Sequence, residues 1–202
     1  ACATGYVTGR SIRDHASPHV DAGFVLTIDL ENFFPTISFS RVISIFRGLG
    51  YSGQVSTSLA KLCCLDNVLP QGAPTSPSLS NIVCKRLDEK LERFAIESGL
   101  RYTRYVDDMC FSGGEIKKHT LDEIEKIVSS EGFRTNKSKT HLHAPRSNLK
   151  LVTGVNVALG KMSLPKSYKR AISTDLFHIE KYGLRSHLAK RKIRDPNYIE
   201  AL

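Results

Sequence analysis

The 202-residue sequence predicts an α+β fold: a split β-α-β antiparallel sheet with its helices on one face. Three observations carry that prediction. Phe24 to Leu30 (FVLTIDL) is apolar on both faces except at Thr27 and Asp29, as a strand at the centre of a sheet would be. Arg101 to Val106 (RYTRYV) and Met109 to Ser112 are strand-like runs that meet at Asp107-Asp108, the layout of a hairpin. Between them lies a strongly amphipathic helix from Leu79 to about Ser98, with Leu79, Ile82, Val83, Leu87, Leu91 and Phe94 at helical spacing.

The remaining elements fill in around these. Ser40 to Leu49 is helical and stops at Gly50, and Gln54 to Leu65 is a second, less regular helix. The Pro and Gly residues of Leu69 to Asn81 (LPQGAPTSPSLSN) impose a loop before the long helix. Thr120-x-x-Glu123 has the form of a capping box, opening a helix through Val128 that closes near Gly132. Phe133 to Thr135 and Thr140 to His143 are two short strands, and Lys150 to Leu159 is a strand pair. After Leu164-Pro165 the pattern becomes helical and basic, which places a boundary near Pro165. There is no internal repeat.

Hydrophobic residues make up 41% and charged residues 24%, the balance of a globular protein rather than a disordered one. No apolar run reaches the roughly 18 residues of a membrane span, so no membrane partner is expected. The N-terminus has neither a secretory layout nor an initiator Met, and the chain reads as a piece of a longer or processed one. The 29 Lys and Arg against 20 Asp and Glu give a net charge of +9, which favours an anionic partner such as nucleic acid. Five cysteines at 2, 63, 64, 84 and 110 form no Cys-x-x-Cys pair. An odd count argues against a disulfide framework and for a reducing, cytoplasmic setting. Adjacent Cys63 and Cys64 are expected to be buried, and His141 and His143 have no Cys pair with which to bind zinc.

The acids are the informative residues. A carboxylate near the end of an apolar central strand, Asp29, is costly unless it is paired or holds a cation. By itself it is equally a hydrogen-bonded strand end, and Asp107-Asp108 by itself is ordinary turn chemistry. In a split β-α-β sheet, however, the first strand and the hairpin are neighbours, which brings all three carboxylates together. Like charges so placed repel one another without a cation. Hard oxygen donors suit Mg²⁺, and a pair of such ions can stabilise the attacking and leaving oxygens of a phosphoryl transfer.

Tyr105-Val106-Asp107-Asp108 resembles the Tyr-x-Asp-Asp motif of reverse transcriptases. Asp29 with Phe33-Phe34 resembles the family's metal-binding Asp and following aromatic pair, and Leu69 to Pro77 (LPQGAPTSP) resembles the loop beneath primer, template and nucleotide. The resemblance implies a polymerase palm, on a ferredoxin-like sheet, catalysing RNA-directed DNA synthesis from dNTPs on a structured RNA template with two Mg²⁺, or Mn²⁺ as substitute. It implies that Asp29, Asp107 and the Leu30 carbonyl hold the ions with Asp108 more peripheral. Phe34 becomes a steric gate against a 2′-hydroxyl, Gln71 and Gly72 contact nucleotide or template, and Lys139 stands near the leaving pyrophosphate. Residues 1–23 become the end of the fingers, 24–164 the palm and 165–202 the incomplete start of a thumb, whose basic Lys190 to Arg194 suits a phosphate backbone.

Two further segments resemble bacterial retron enzymes in particular. Leu151 to Asn156 contains Val-Thr-Gly, and His15 to His19 (HASPH) resembles Asn-Ala-x-x-His, with His15 where Asn is expected. This implies RNA contacts at His19, Thr153 and Gly154, and a branched RNA-linked DNA product (msDNA). It also implies a bacterial cytoplasmic setting and antiphage defence with an additional protein partner. A group II intron or phage-defence reverse transcriptase shares the three core motifs. A silent polymerase-fold module that only binds RNA would gain nothing from the clustered acids.

Overall fold

The fold is described from a computed structural model covering residues 2–117, 119–158 and 160–192. It divides into two compact units, Ala1–Met162 and Ser163–Leu202, the second beginning two residues before the Pro165 expected.

The first unit is built on a four-stranded antiparallel sheet with strand order β2-β3-β1-β4. Its strands are β1 (Phe24–Leu30), β2 (Arg101–Tyr105), β3 (Asp108–Gly113) and β4 (Thr135–His143). This is the expected split β-α-β arrangement, with the hairpin β2–β3 joined edge to edge to β1. The run Thr135–His143 is one continuous strand rather than two short ones. Its Asn, Lys and Ser residues read as a break. Thr135 and Asn136 pair with Leu30 and Asp29, and His141 to His143 pair with Thr27 to Val25; the residues between them form a register shift inside the strand rather than its end.

Alternation along β1 divides its side chains between two faces. Leu26, Ile28 and Leu30 join Met109, Phe111 and Tyr102 on the face covered by the helices. Those helices are α3 (Phe39–Gly48), α4 (Gly53–Cys63), α5 (Ser76–Glu97) and α6 (Thr120–Ser130). They follow α1 (Ile12–Ala16) and the single turn α2 (Phe33–Thr36) in the chain. The long helix α5 begins three residues before the expected Leu79, because Pro77 is compatible with the first helical turn, where its missing N–H is not needed. The expected capping box of α6 does not form. His119 is the N-cap, Thr120 is buried within the first turn, and Glu123 pairs with Lys126 at 2.7 Å.

The opposite face of the sheet is also covered, though the sequence placed helices on one face only. Val25 and Cys110 point there and pack with Ala16, Ala22, Val152 and Val157. The cover consists of α1, a 3₁₀ turn at Ser17–His19, and a small hairpin of β5 (Leu151–Val152) and β6 (Val155–Asn156). Lys150, 5% exposed, ties this hairpin down by donating to the Ala22 and Gly23 carbonyls, both at 2.7 Å. Cys2, Cys84 and Cys110 are buried free thiols; Cys63 and Cys64 are half-buried at the core's edge.

The second unit consists of α7 (Lys166–Tyr182) and α8 (Leu184–Arg191), linked by a bidentate Arg191–Asp175 contact at 2.6 and 2.8 Å. Of the basic run Lys190 to Arg194, the last two residues lie outside the described residues. No helix among the described residues is long and apolar enough to cross a membrane.

One polar contact crosses the main core. Arg104, on β2 and 0% exposed, donates from Nε and Nη2 to both carboxylate oxygens of Asp88 on α5, at 2.8 and 2.7 Å. The Tyr102 hydroxyl donates to the same carboxylate at 2.9 Å. Removing one partner of such a buried pair leaves the other charge uncompensated, which costs about 3–5 kcal/mol. Asp88→Ala is therefore expected to lower unfolding stability by about that amount in urea titration. A change below ~1 kcal/mol would show that water screens the pair.

Candidate active site

The antiparallel register makes the site. Asp29 on β1 stands directly opposite Asp108 on β3, and Asp108 in turn opposite Tyr105 on β2. Asp107 occupies the two-residue turn between Tyr105 and Asp108. One carboxylate oxygen from each of Asp29, Asp107 and Asp108 lies within 4.8 Å of the others. The three acids thus converge as expected, on the sheet face opposite the long helices.

The turn is strained. Val106 has φ +60°, in the left-handed region that a β-branched residue rarely enters. Three contacts hold it. Arg104 Nη1 donates to the Val106 carbonyl at 2.8 Å, Leu30 N–H donates to the Asp107 carbonyl at 3.0 Å, and Gly5 packs against the turn. A Cβ on Gly5 would sit 2.6 Å from the Val106 nitrogen, so only glycine fits this approach.

Burial raises the carboxyl pKa of Asp107 above its ordinary value, and the Asp29 charge adds to the effect. Burial likewise raises that of Asp108, with Asp107 and Asp29 adding, while a hydrogen bond from Thr153 opposes the shift. That bond runs from Thr153 Oγ1 to Asp108 Oδ2 at 3.0 Å. Lys139 Nζ approaches Asp29 Oδ2 at 3.1 Å, and that hydrogen bond is the main reason its ammonium pKa is raised. One exposed lysine beside three clustered carboxylates leaves net negative charge in an all-oxygen donor set. That is the chemistry a hard divalent cation fits.

A cleft of about 540 Å³ opens over this cluster. Phe34 lies on its wall, placed there by α2 and held edge-to-face against Phe33 at 5.2 Å. Gln71, Lys139 and Leu30 also border it, the Leu30 side chain itself being buried in the core. Gly72 does not line the cleft; its φ of +91° serves the turn beside Gln71. Thr153 reaches the cleft through the β5–β6 turn, where it and Gly154 both have positive φ (+42° and +82°) as a type I′ hairpin requires.

His19 is placed differently from expectation. It is 0% exposed, and both ring nitrogens are engaged inside the protein, Nδ1 with Ser112 Oγ and Nε2 with Thr103 Oγ1, each at 2.7 Å. A ring so enclosed is a tie between the 3₁₀ turn and the hairpin β2–β3, not a surface for RNA. His15 joins the same network through Nδ1 and Thr103 Oγ1 at 2.8 Å. Sequence reasoning also missed Tyr6, which lines the cleft, and the Arg104–Asp88 contact with Asn81 beneath the turn. Tyr6 lies in a segment with no periodicity, and Arg104 looked like an ordinary strand residue.

The sheet order, the helical cover and the converging acids define a polymerase palm. The chain belongs to the reverse transcriptase family: residues 2–192 match the model for reverse transcriptase (RNA-dependent DNA polymerase). In sequence it is of the retron type. It is 40% identical over 177 residues to the Retron Ec86 reverse transcriptase of Escherichia coli, covering 87% of this chain and 55% of that protein. It is 39% identical over 177 residues to the Retron Mx65 reverse transcriptase of Myxococcus xanthus, covering 77% of this chain and 41% of that one. The chain thus spans about half the length of these curated relatives. An apo telomerase structure from Candida tropicalis shares the fold, with a TM-score of 0.50 at 15% identity over 76% of this chain and 38% of that one.

The buried histidines make stability depend on pH. Burial lowers the pKa of His15 to about 4 and that of His19 to about 3, against about 6.5 in the unfolded chain. Below about pH 6.5 the unfolded state binds protons that the folded state refuses. The neutral-ring contribution is therefore complete above that pH and lost as pH falls toward 4. The expected slope is about 1.4 kcal/mol per pH unit for each histidine. Urea unfolding at pH 7, 6 and 5 measures it, and His19→Gln should roughly halve the slope; an unchanged slope would assign the acid sensitivity elsewhere.

Proposed function

We propose that this chain is the catalytic palm, with the start of a thumb, of a retron-type RNA-directed DNA polymerase. It would extend a 3′-end with dNTPs on a structured RNA template, giving a branched RNA-linked DNA. The observation that carries this reading is the convergence of Asp29, Asp107 and Asp108 beneath an open cleft. The match of the family model along residues 2–192 and the retron relatives support it. Residues 24–164 would be the palm, preceded by the end of the fingers at 1–23 and followed by thumb at 165–202; the boundary between residues 162 and 163 supports the second of these divisions.

In this proposal Asp29, Asp107 and the Leu30 carbonyl hold two Mg²⁺ ions, with Asp108 at their periphery. When bound, the ions would offset charge on the attacking and leaving oxygens of the phosphoryl transfer. The protein's own groups do the positioning. The Arg104-braced turn fixes Asp107, and Thr153 orients Asp108. Lys139 stands where a cation can favour departure of pyrophosphate. The Phe34 ring walls the cleft beside the carboxylates, where a 2′-hydroxyl would meet it. Gln71 contributes an amide to the nucleotide or template, with Gly72 shaping its loop. Thr153 and Gly154, at the tip of the small hairpin, are the RNA contacts that remain open, and the net charge of +9 favours the template backbone. A role in antiphage defence, in the bacterial cytoplasm and with a protein partner, extends the same proposal.

Asp107→Asn in the full-length enzyme should abolish DNA synthesis while leaving RNA affinity unchanged or slightly improved, since one repulsive charge is removed. Primer extension and filter binding on the same preparation test this, and retained synthesis refutes the metal assignment. Phe34→Ala should raise ribonucleotide incorporation about ten- to a hundredfold relative to dNTPs, the scale of a 1–3 kcal/mol steric discrimination. An unchanged dNTP/rNTP ratio removes Phe34 from the gate.

A further inference from the structure

We propose that Tyr6 is a base-stacking platform: its exposed ring receives the face of a nucleobase at the mouth of the carboxylate cleft. This rests on the reading of the cleft as a polymerase site.

Tyr6 is 53% exposed, which for an isolated tyrosine means little. Its backbone and its support are unusual. Its φ is +57°, in the left-handed region where a bulky side chain is rare, and such outliers persist only where their surroundings impose them. The imposition is visible on both sides. The preceding segment runs alongside β2 in parallel, with Arg104 N–H donating to the Cys2 carbonyl at 2.9 Å and Thr4 N–H to the Arg104 carbonyl at 2.8 Å. Gly5 is then wedged against the Val106 backbone, and Asn81 Nδ2 donates to the Gly5 carbonyl at 2.9 Å. Asn81 also accepts from Arg104 Nη2 at 3.2 Å, so the buried network that braces the Asp107 turn fixes the loop bearing Tyr6 as well.

The result is a ring delivered to the same cleft as Asp107, Phe34 and Gln71. Among the described residues, the ring–ring and cation–π contacts do not involve it. Carboxylates, an amide and Lys139 serve phosphates, metal and base edges, but none offers a flat apolar surface. Of the other aromatic residues bordering the cleft, Phe33 and Phe34 are 3% and 9% exposed and packed against each other, and the Tyr105 ring is set against His15 with centroids 5.8 Å apart. An open aromatic face beside a phosphoryl-transfer site is the surface that takes a base, because every base has a π-face whatever its sequence. The base could belong to the incoming nucleotide or to the bound strand.

The test compares Tyr6→Phe with Tyr6→Leu in the full-length enzyme, since leucine keeps bulk and backbone but has no π-face. One arm measures KM for dNTPs. The other measures the dissociation constant of an RNA template–DNA primer carrying 2-aminopurine at the templating position, read by fluorescence without turnover. Tyr6→Phe should match the wild type in both. Tyr6→Leu should weaken one by about ten- to a hundredfold, the scale of a lost stacking contact. A rise in KM alone assigns the base to the nucleotide; a rise in the dissociation constant with lost quenching assigns it to the strand. The proposal is overturned if Tyr6→Leu equals the wild type in both arms, or if Tyr6→Phe is equally impaired, which would mark the hydroxyl instead. A wild type that binds the duplex but incorporates no dNTP would instead overturn the polymerase reading itself.

Discussion

Two carboxylates directly opposite one another on neighbouring strands, with a third in the adjoining turn, are a constraint that the surrounding structure has to meet. Asp29 and Asp108 face each other across the ladder, and Asp107 lies within the same few ångströms. Partial burial, with their mutual repulsion adding to it, raises the carboxyl pKa of Asp107 and Asp108. A relaxed turn would not place Asp107 there, and the chain accepts Val106 at φ +60° to do so. That strain, of order 1–3 kcal/mol, has to be offset by neighbouring contacts. Arg104 supplies one from within the core, bonded to Asp88 on one side and to the Val106 carbonyl on the other.

The same logic appears on the other flank. Thr153, also at positive φ, donates to Asp108 from the tip of a hairpin whose two strands are only two residues each. So short a hairpin would not hold its place alone. Lys150 anchors it through two backbone carbonyls at the entry to β1, and Asn156 closes its base by accepting from the Lys150 N–H at 2.9 Å. Both strained turns therefore touch the carboxylates, and each is fixed by a buried cation whose partners lie elsewhere in the sequence.

This explains what could be read in the sequence and what could not. The central strand, the hairpin and the acids were legible because apolar alternation and one turn determine register, and a one-residue slip would turn Asp29 to the other face. The long helix was legible because its period is regular over many residues. Arg104 was not: a cation in a half-buried strand ordinarily points to water, and its partner Asp88 lies sixteen residues earlier on a helix. Asp88 follows Leu87 on that helix and reads as part of a polar face, yet it is buried. The cover over the second sheet face was missed for a similar reason. His15 and His19 are polar residues in a segment without period, and only the fold shows that Thr103 and Ser112 await them. His19 was read as an RNA contact because of the motif it belongs to, whereas burial gives it a structural tie.

The placement of these supports bears on how the site can tolerate change. Arg104, Asn81 and Gly5 link the Asp107 turn to the loop that bears Tyr6, so the carboxylates and the aromatic ring are held by one hydrogen-bonded network rather than by two. Networks of this kind are strong only while every member is satisfied, and a single truncation leaves a buried donor or charge behind. Gly5 and Asn81 therefore have little freedom to vary although neither reaches the carboxylates. Lys139, by contrast, meets Asp29 from an exposed position with its side chain 63% accessible, where salt and water screen the contact. The rigid part of the site is thus the arrangement of acids, and the adjustable part is the cation that faces them. In the proposed function, where the acids would hold metal ions while substrate charge arrives and leaves, that division serves the centre.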